Sequence, residues 1–167
     1  MIQSHFLTKF TEVAYDPAAK CPRFLALLEE ALGAEMVPYM KKVFGSCLSE
    51  DVSEKAFFIL HGKTDAGKTK ILNAIREILG PYAGLLQADT LTARGSNSNA
   101  LADRAQLAGM RFAQTAELGD DAKLASRILK YLAQGTGSEI KGTLKYGNPQ
   151  KIKETWHFFR LVRGICG

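Results

Sequence analysis

From Gly62 to Thr69 the chain reads Gly-Lys-Thr-Asp-Ala-Gly-Lys-Thr, the spacing G-x-x-x-x-G-K-[ST] of a phosphate-binding loop. The pattern constrains the fold only if a strand precedes it and a helix follows. The anion it serves is held by backbone N–H groups and the positive end of a helix. Both flanks meet that requirement. Ala56-Phe57-Phe58-Ile59-Leu60 is an apolar run of buried-strand length. Ile71, Leu72, Ile75, Ile78 and Leu79 recur at helical spacing, and Gly80-Pro81 stops the helix. In such a unit Gly62, Lys63, Thr64, Asp65, Ala66 and Gly67 form the cradle. Lys68 reaches the β- and γ-phosphates, and the Thr69 hydroxyl ligates Mg²⁺. The chain reads as a nucleotide-binding protein.

The remaining segments fit around that unit. A helix starts with Pro22 in its first turn, carries Phe24, Leu25, Leu28 and Leu32 inward and ends at Gly33. A second runs from about Pro38 through Tyr39, Met40, Val43 and Phe44 to Gly45, with Lys41-Lys42 on a solvated face. These helices make residues 1–50 a small helical lead-in, joined by the acidic, Ser-containing stretch 49–54 to a core over 51–167. Past the loop helix, residues 83–87 read as a strand, 93–99 as a polar loop, and Leu101 to Gly109 as a helix. Residues 110–116 are a strand that delivers Glu117 at its carboxyl end. Leu124, Ala125, Ile128, Leu129 and Leu132 stripe the next helix, up to Gly135. Residues 135–148 are too polar and glycine-rich for a core element and read as a projecting hairpin or loop; 155–162 is a last strand. Strands alternating with helices imply an α/β fold with a largely parallel sheet covered on both faces.

Bulk properties narrow the setting. With 167 residues the chain fits one domain with a small appendage. Twenty-two Lys and Arg against 17 Asp and Glu give a net charge of +5, which permits nucleic-acid contact without demanding it. Cys21, Cys47 and Cys166 are an odd, widely spaced set, unsuited to a disulfide framework or a zinc site and suited to a reducing cytoplasm. The opening MIQSHFLTKF lacks the basic and apolar regions of a signal peptide. No run approaches the roughly 18 apolar residues of a membrane span, so no membrane association is expected.

Two further groups of residues carry chemistry. Ligands of open α/β sheets bind at the carboxyl ends of strands, where Glu117 is expected. A carboxylate there can hold Mg²⁺ or position an attacking water. Lys141, Lys145 and Tyr146, with Lys151 and Lys153 behind them, combine ammonium groups with an aromatic. Single-stranded nucleic acid is gripped by that pairing of phosphate attraction and base stacking; a solvated basic loop has the same composition. His5, His61 and His157 are scattered and show no metal-ligand spacing.

Across most of its length the chain resembles the phage and plasmid primase-helicases related to the poxvirus primase-helicase, within the superfamily-three helicases of the AAA+ class. HFLTKFTEVAYDPAAKCPRFLALLEEAL is similar to the segment leading into that helicase domain. YMKKVFGSCLSEDVSEKAFFILHGKTDAGKT resembles its helical lead-in and Walker A motif. LAGMRFAQTAELGDDAKLASRILKYLAQGTGSEIKGTLKYGNPQKIKETWHFF resembles its Walker B motif, the following helix and the B-prime hairpin. The resemblance implies a P-loop NTPase fold, ATP and Mg²⁺ as ligands, and assembly as a homo-oligomeric ring, often a hexamer, around single-stranded DNA. Lys68 and Thr69 match the Walker A lysine and hydroxyl, Glu117 the Walker B acid, and Lys130 the lysine before the B-prime glycines. Lys141, Lys145 and Tyr146 fall in the region facing DNA.

Two departures stand out. Ala66 replaces a common Asn, and Arg163 falls roughly where a γ-phosphate-sensing Asn belongs. The resemblance also implies elements beyond Gly167, an arginine finger among them. The chain is therefore expected to be an incomplete helicase core, truncated after its fourth strand, that binds nucleotide and hydrolyses it poorly. A small P-loop kinase and a non-catalytic nucleotide-binding assembly module are the other readings compatible with the loop.

Overall fold

Prolines set where both amino-terminal helices begin, because the first helical turn has no use for the N–H that proline lacks. In the computed structural model, which describes residues 9–63, 65–87, 102, 105–115, 130, 134–135, 139–143 and 148–163, α1 spans Pro22–Leu32 and α2 spans Val37–Ser46. A 3₁₀ turn over Ala34–Met36 connects them. Along α2, Val37, Met40, Val43 and Phe44 are buried, the spacing of a single helical stripe.

The chain then enters β1 (Phe57–Gly62), α3 (Lys68–Leu79), β2 (Ala83–Leu86), β3 (Phe112–Thr115), β4 (Glu139–Thr143), β5 (Pro149–Lys153) and β6 (His157–Arg163). Among the described residues, four strands form one sheet in the order β1-β6-β3-β2, with each of these pairings parallel. β1 and β2, consecutive in sequence, therefore lie at opposite edges, and the last strand, β6, fills the place beside β1. Parallel strands covered on both faces read as continuous apolar runs. That is the physical reason for the complete burial of Phe112, Ala113, Phe158 and Phe159 on the inner strands, whereas on β1, at the edge, Leu60 is buried and Ile59 is exposed.

Register sorts these side chains onto two faces. Phe58, Phe159 and Gln114 stand in one row across β1, β6 and β3. On their side, Phe159 stacks against Phe58 at 4.9 Å and Phe112 at 4.6 Å and touches Phe44 of α2 at 5.9 Å. Each such aromatic pair adds about 0.5–1.5 kcal/mol beyond its buried area. Leu28 of α1 and Ile71, Leu72, Ile75 and Leu79 of α3 complete this core. The opposite face buries Leu86, Ala113 and Phe158 against Ala105, Leu107, Ile152 and Trp156.

Arg111 ties the joint after α2 to the sheet. Its guanidinium lies 4.7 Å over the Tyr82 ring, donates to the Leu48 carbonyl and sits 3.6 Å from the Glu50 carboxylate.

The polar stretch expected to project does form a hairpin, with β4 and β5 antiparallel. It begins at Glu139 and continues to Lys153, because Ile152 turns into the second core and anchors the ribbon. Glu139, Lys141, Lys151 and Lys153 are exposed. Of the strand expected over 110–116, Phe112–Thr115 is observed; position 116 lies outside the described residues, and before the strand the Met110 carbonyl accepts from the Thr155 hydroxyl at 2.7 Å. The helix expected after residue 120 lies outside the described residues apart from Lys130, which is helical. Among the described residues no helix is long and apolar enough to cross a membrane.

His157 opens β6 in a buried place, ring to ring with Phe58, and its Nδ1 has no hydrogen-bond partner among the described residues. Burial holds its pKa below the usual 6.5, only partly offset by a hydrogen bond to the Arg111 backbone and the charge of Asp51. The unfolded chain therefore takes up a proton that the folded chain refuses. Stability from this residue is complete above about pH 6.5 and declines as pH falls below it. A Tm series from pH 8 to pH 5 should show this decline in the native chain and a shallower one in His157→Phe.

Candidate functional site

The loop between β1 and α3 is built by two left-handed residues. Asp65 has φ 61° and Gly67 φ 78°, with a turn closed by Ala66 N–H donating to the Lys63 carbonyl at 3.4 Å. Asp tolerates the left-handed region better than most side chains, and Gly enters it without penalty. Gly67 is also the N-cap of α3, so the helix starts with no side-chain cap on its first N–H groups. Nor does its first turn contain an acidic residue, which is where one would be favourable.

Lys68, the first residue of α3, is buried to 7% exposure. Its Nζ donates to the carbonyls of Gly62 at 2.7 Å and Lys63 at 2.5 Å. A buried ammonium must be paired, and here the loop's own oxygens pair it. Lys63, Thr69 and Lys70 are exposed around it. Three lysines thus gather at a helix end whose dipole already carries about half a positive charge. Nothing in the packing requires this, and the complement to it is an anion.

The sheet brings other elements to the same edge. Parallel pairing places the carboxyl ends of β1, β6 and β3 together, with Arg163 the register partner of Gly62. β3 ends at Thr115, two positions before Glu117 in the sequence. Along β3 the Gln114 Oε1 and Thr115 Oγ1 atoms are buried without a hydrogen-bond partner among the described residues.

Of the residues expected to form the site, Gly62, Lys63, Asp65, Ala66, Gly67, Lys68 and Thr69 are brought together in the loop and first turn. Thr64, Glu117, Lys145 and Tyr146 lie outside the described residues. Lys141 is on β4, exposed, with Lys151 as its cross-strand partner. Lys151 forms an ion pair with Glu139 at 3.0 Å, so part of the ribbon's basic charge is neutralised internally.

Two contributors escape a reading of the sequence. Leu27 and Ala31 of α1 back the loop: a Cβ on Gly67 would stand 3.1 Å from Leu27 Cδ1 and 3.5 Å from the Ala31 methyl. Glu154, buried between β5 and β6, accepts from the backbone N–H groups of Gln134 at 3.0 Å and Gly135 at 2.9 Å. Gly135, at φ 95°, has the Lys55 stem and the Val52 carbonyl where a side chain would be. The only signal in the sequence is an acidic residue set directly before an apolar strand, which is ambiguous.

No family model matches the chain, and no curated protein matches it. Solved structures do. The A-form apo structure of the NrS-1 C-terminal region superposes with a TM-score of 0.66 at 14% identity, over 90% of this chain and 35% of that one. The apo structure of the NrS-1 C-terminal region (305–718) gives 0.60 at 14% identity, over 88% and 35%. The chain spans about a third of each, and at this identity the likeness is one of fold.

Proposed function

We propose that the chain binds ATP with Mg²⁺ on the 62–69 loop and is the P-loop ATPase domain of a DNA helicase of phage or plasmid replication. The observation that carries the reading is the start of α3: uncapped, without an acidic residue, and surrounded by Lys63, Lys68 and Lys70. A phosphate satisfies the free N–H groups and the charge at once. Lys68 is held ready by weak substitutes, the Gly62 and Lys63 carbonyls, which phosphate oxygens replace with charge-assisted hydrogen bonds. Bound Mg²⁺ would neutralise phosphate charge, with the exposed Thr69 hydroxyl and Glu117 as the residues to hold it. Glu117 is also the carboxylate that orients water for hydrolysis, as the resemblance to the helicase family implies. The fold shared with the NrS-1 C-terminal region supports this assignment of the scaffold.

The β4–β5 ribbon is the element we assign to single-stranded DNA, with Lys141 on its exposed side and Lys145 and Tyr146 in the sequence between its strands. Ring assembly around the strand, a hexamer in the family it resembles, completes the reading.

Three outcomes are expected. Lys68→Ala should lower affinity for a Mg²⁺–ATP analogue at least a hundredfold by calorimetry, since hydrogen bonds to charged groups are worth about 1.5–3 kcal/mol each. Its circular dichroism should stay native, and retained affinity would refute the loop assignment. Glu117→Gln should leave that affinity in place while reducing steady-state phosphate release; unchanged turnover removes Glu117 from the chemistry. Lys141→Ala combined with Lys145→Ala should weaken oligo-dT binding and reduce the salt slope, d log K/d log[salt], by about 1.4. An unaltered slope would make the ribbon a solvated loop.

A further inference from the structure

The nucleotide site includes a wall that neither the loop motif nor the sheet supplies. Leu27 Cδ1 and the Ala31 methyl, four residues apart on one side of α1, border the space that a side chain on Gly67 would enter, 3.1 Å and 3.5 Å from where its Cβ would stand. That backbone is held at φ 78° and is the N-cap from which α3 begins. The same helix is fixed from its other side: Leu28 is fully buried in the main core and Phe24 meets Phe44 of α2 at 6.5 Å. α1 is therefore braced on the core and faces the loop at Gly67. Glycine at position 67 is required by its left-handed backbone, and a Cβ there would also oblige the Leu27 side chain to give way.

We infer that Leu27 and Ala31 are positioning residues for the phosphate loop: they hold Gly67, and through it the first N–H groups of α3 and the Lys68 backbone, in the anion-binding arrangement. This rests on the reading of the loop as a nucleotide site and adds its preorganisation by α1. The physical cost of a loose loop is direct. Apparent affinity scales with the fraction of molecules in the competent conformation, so a loop that is competent a tenth of the time binds about tenfold more weakly. The contact is one-sided, since Gly67 presents no side chain and can be steadied only by what packs on its backbone. It also runs both ways. By linkage, a ligand that favours the held loop favours equally the α1 contact that holds it.

The test uses the full chain and a Mg²⁺–ATP analogue in calorimetry, with Tm recorded for every variant. Leu27→Ala, which empties the contact, should weaken binding about tenfold by the argument above, and Leu27→Met should restore most of it. Ala31→Leu should weaken binding at least as much by displacing Gly67. Leu107→Ala, which opens the second core on the other face of the sheet and touches neither α1 nor the loop, should lower Tm while leaving affinity within about twofold. That comparison separates positioning from general destabilisation. Amide hydrogen exchange of 22–32 should slow on adding the analogue in the native chain and respond less in Leu27→Ala.

If native chain and Leu27 and Ala31 variants bind alike while Lys68→Ala does not bind, the role of α1 is wrong and the nucleotide site stands. If Leu107→Ala weakens binding as much as Leu27→Ala, the effect is only one of stability and the inference fails. If the native chain binds no nucleotide, both readings fall together.

Discussion

A buried ammonium at the wrong end of a helix is the constraint around which this molecule is arranged. Lys68 begins α3, where the helix dipole disfavours positive charge, and it is almost wholly withdrawn from solvent. Two loop carbonyls make that tolerable, and they face Nζ only because β1 delivers Gly62 and the left-handed turn at Asp65 and Gly67 folds the chain back. Loop, strand end and helix start are therefore a single unit.

The rest of the fold gives this unit a stiff foundation. β1 is an edge strand, and β6 pairs with it along its whole length, from Phe57 opposite Phe158 to Gly62 opposite Arg163. Phe159 joins β6 to β3, β1 and α2 through one aromatic group. α1 and α2 share the core of α3, and α1 reaches the loop itself. Elements at the amino end and near the carboxyl end of the chain thus converge on residues 62–68. The β4–β5 ribbon stands apart from this convergence. It is held by Ile152 on one side and, at its base, by the Glu154 carboxylate on the backbone of Gln134 and Gly135.

Much of this was legible because local rules and burial agreed. The apolar run at 57–60, the helical spacing of Ile71, Leu72, Ile75 and Leu79, and Pro22 and Gly33 at the ends of α1 each have one low-energy interpretation. The exposed residues of the hairpin were legible from their polarity, while Ile152 was not, since one apolar residue in a basic stretch does not announce a core contact. Near the start of β3 the Met110 carbonyl accepts from the Thr155 hydroxyl, a partner 45 positions away that no local pattern predicts. The site divides similarly. The loop residues follow from spacing, and Leu27 and Ala31 do not, because along the sequence they are ordinary members of an apolar helix.

The sequence by itself determined the loop, the helix it opens, the class of fold and the sign of the charge gathered there, all matters of residue type at short separation. Tertiary structure alone decided that β6 sits beside β1, that Lys68 rests on carbonyls rather than in solvent, and that α1 closes the back of Gly67. The reason is physical: parallel strands and a helix laid on a glycine are joined by contacts between distant segments. Backbone groups and unbranched methyls, which make those contacts, carry no periodic signal of which partner they will meet.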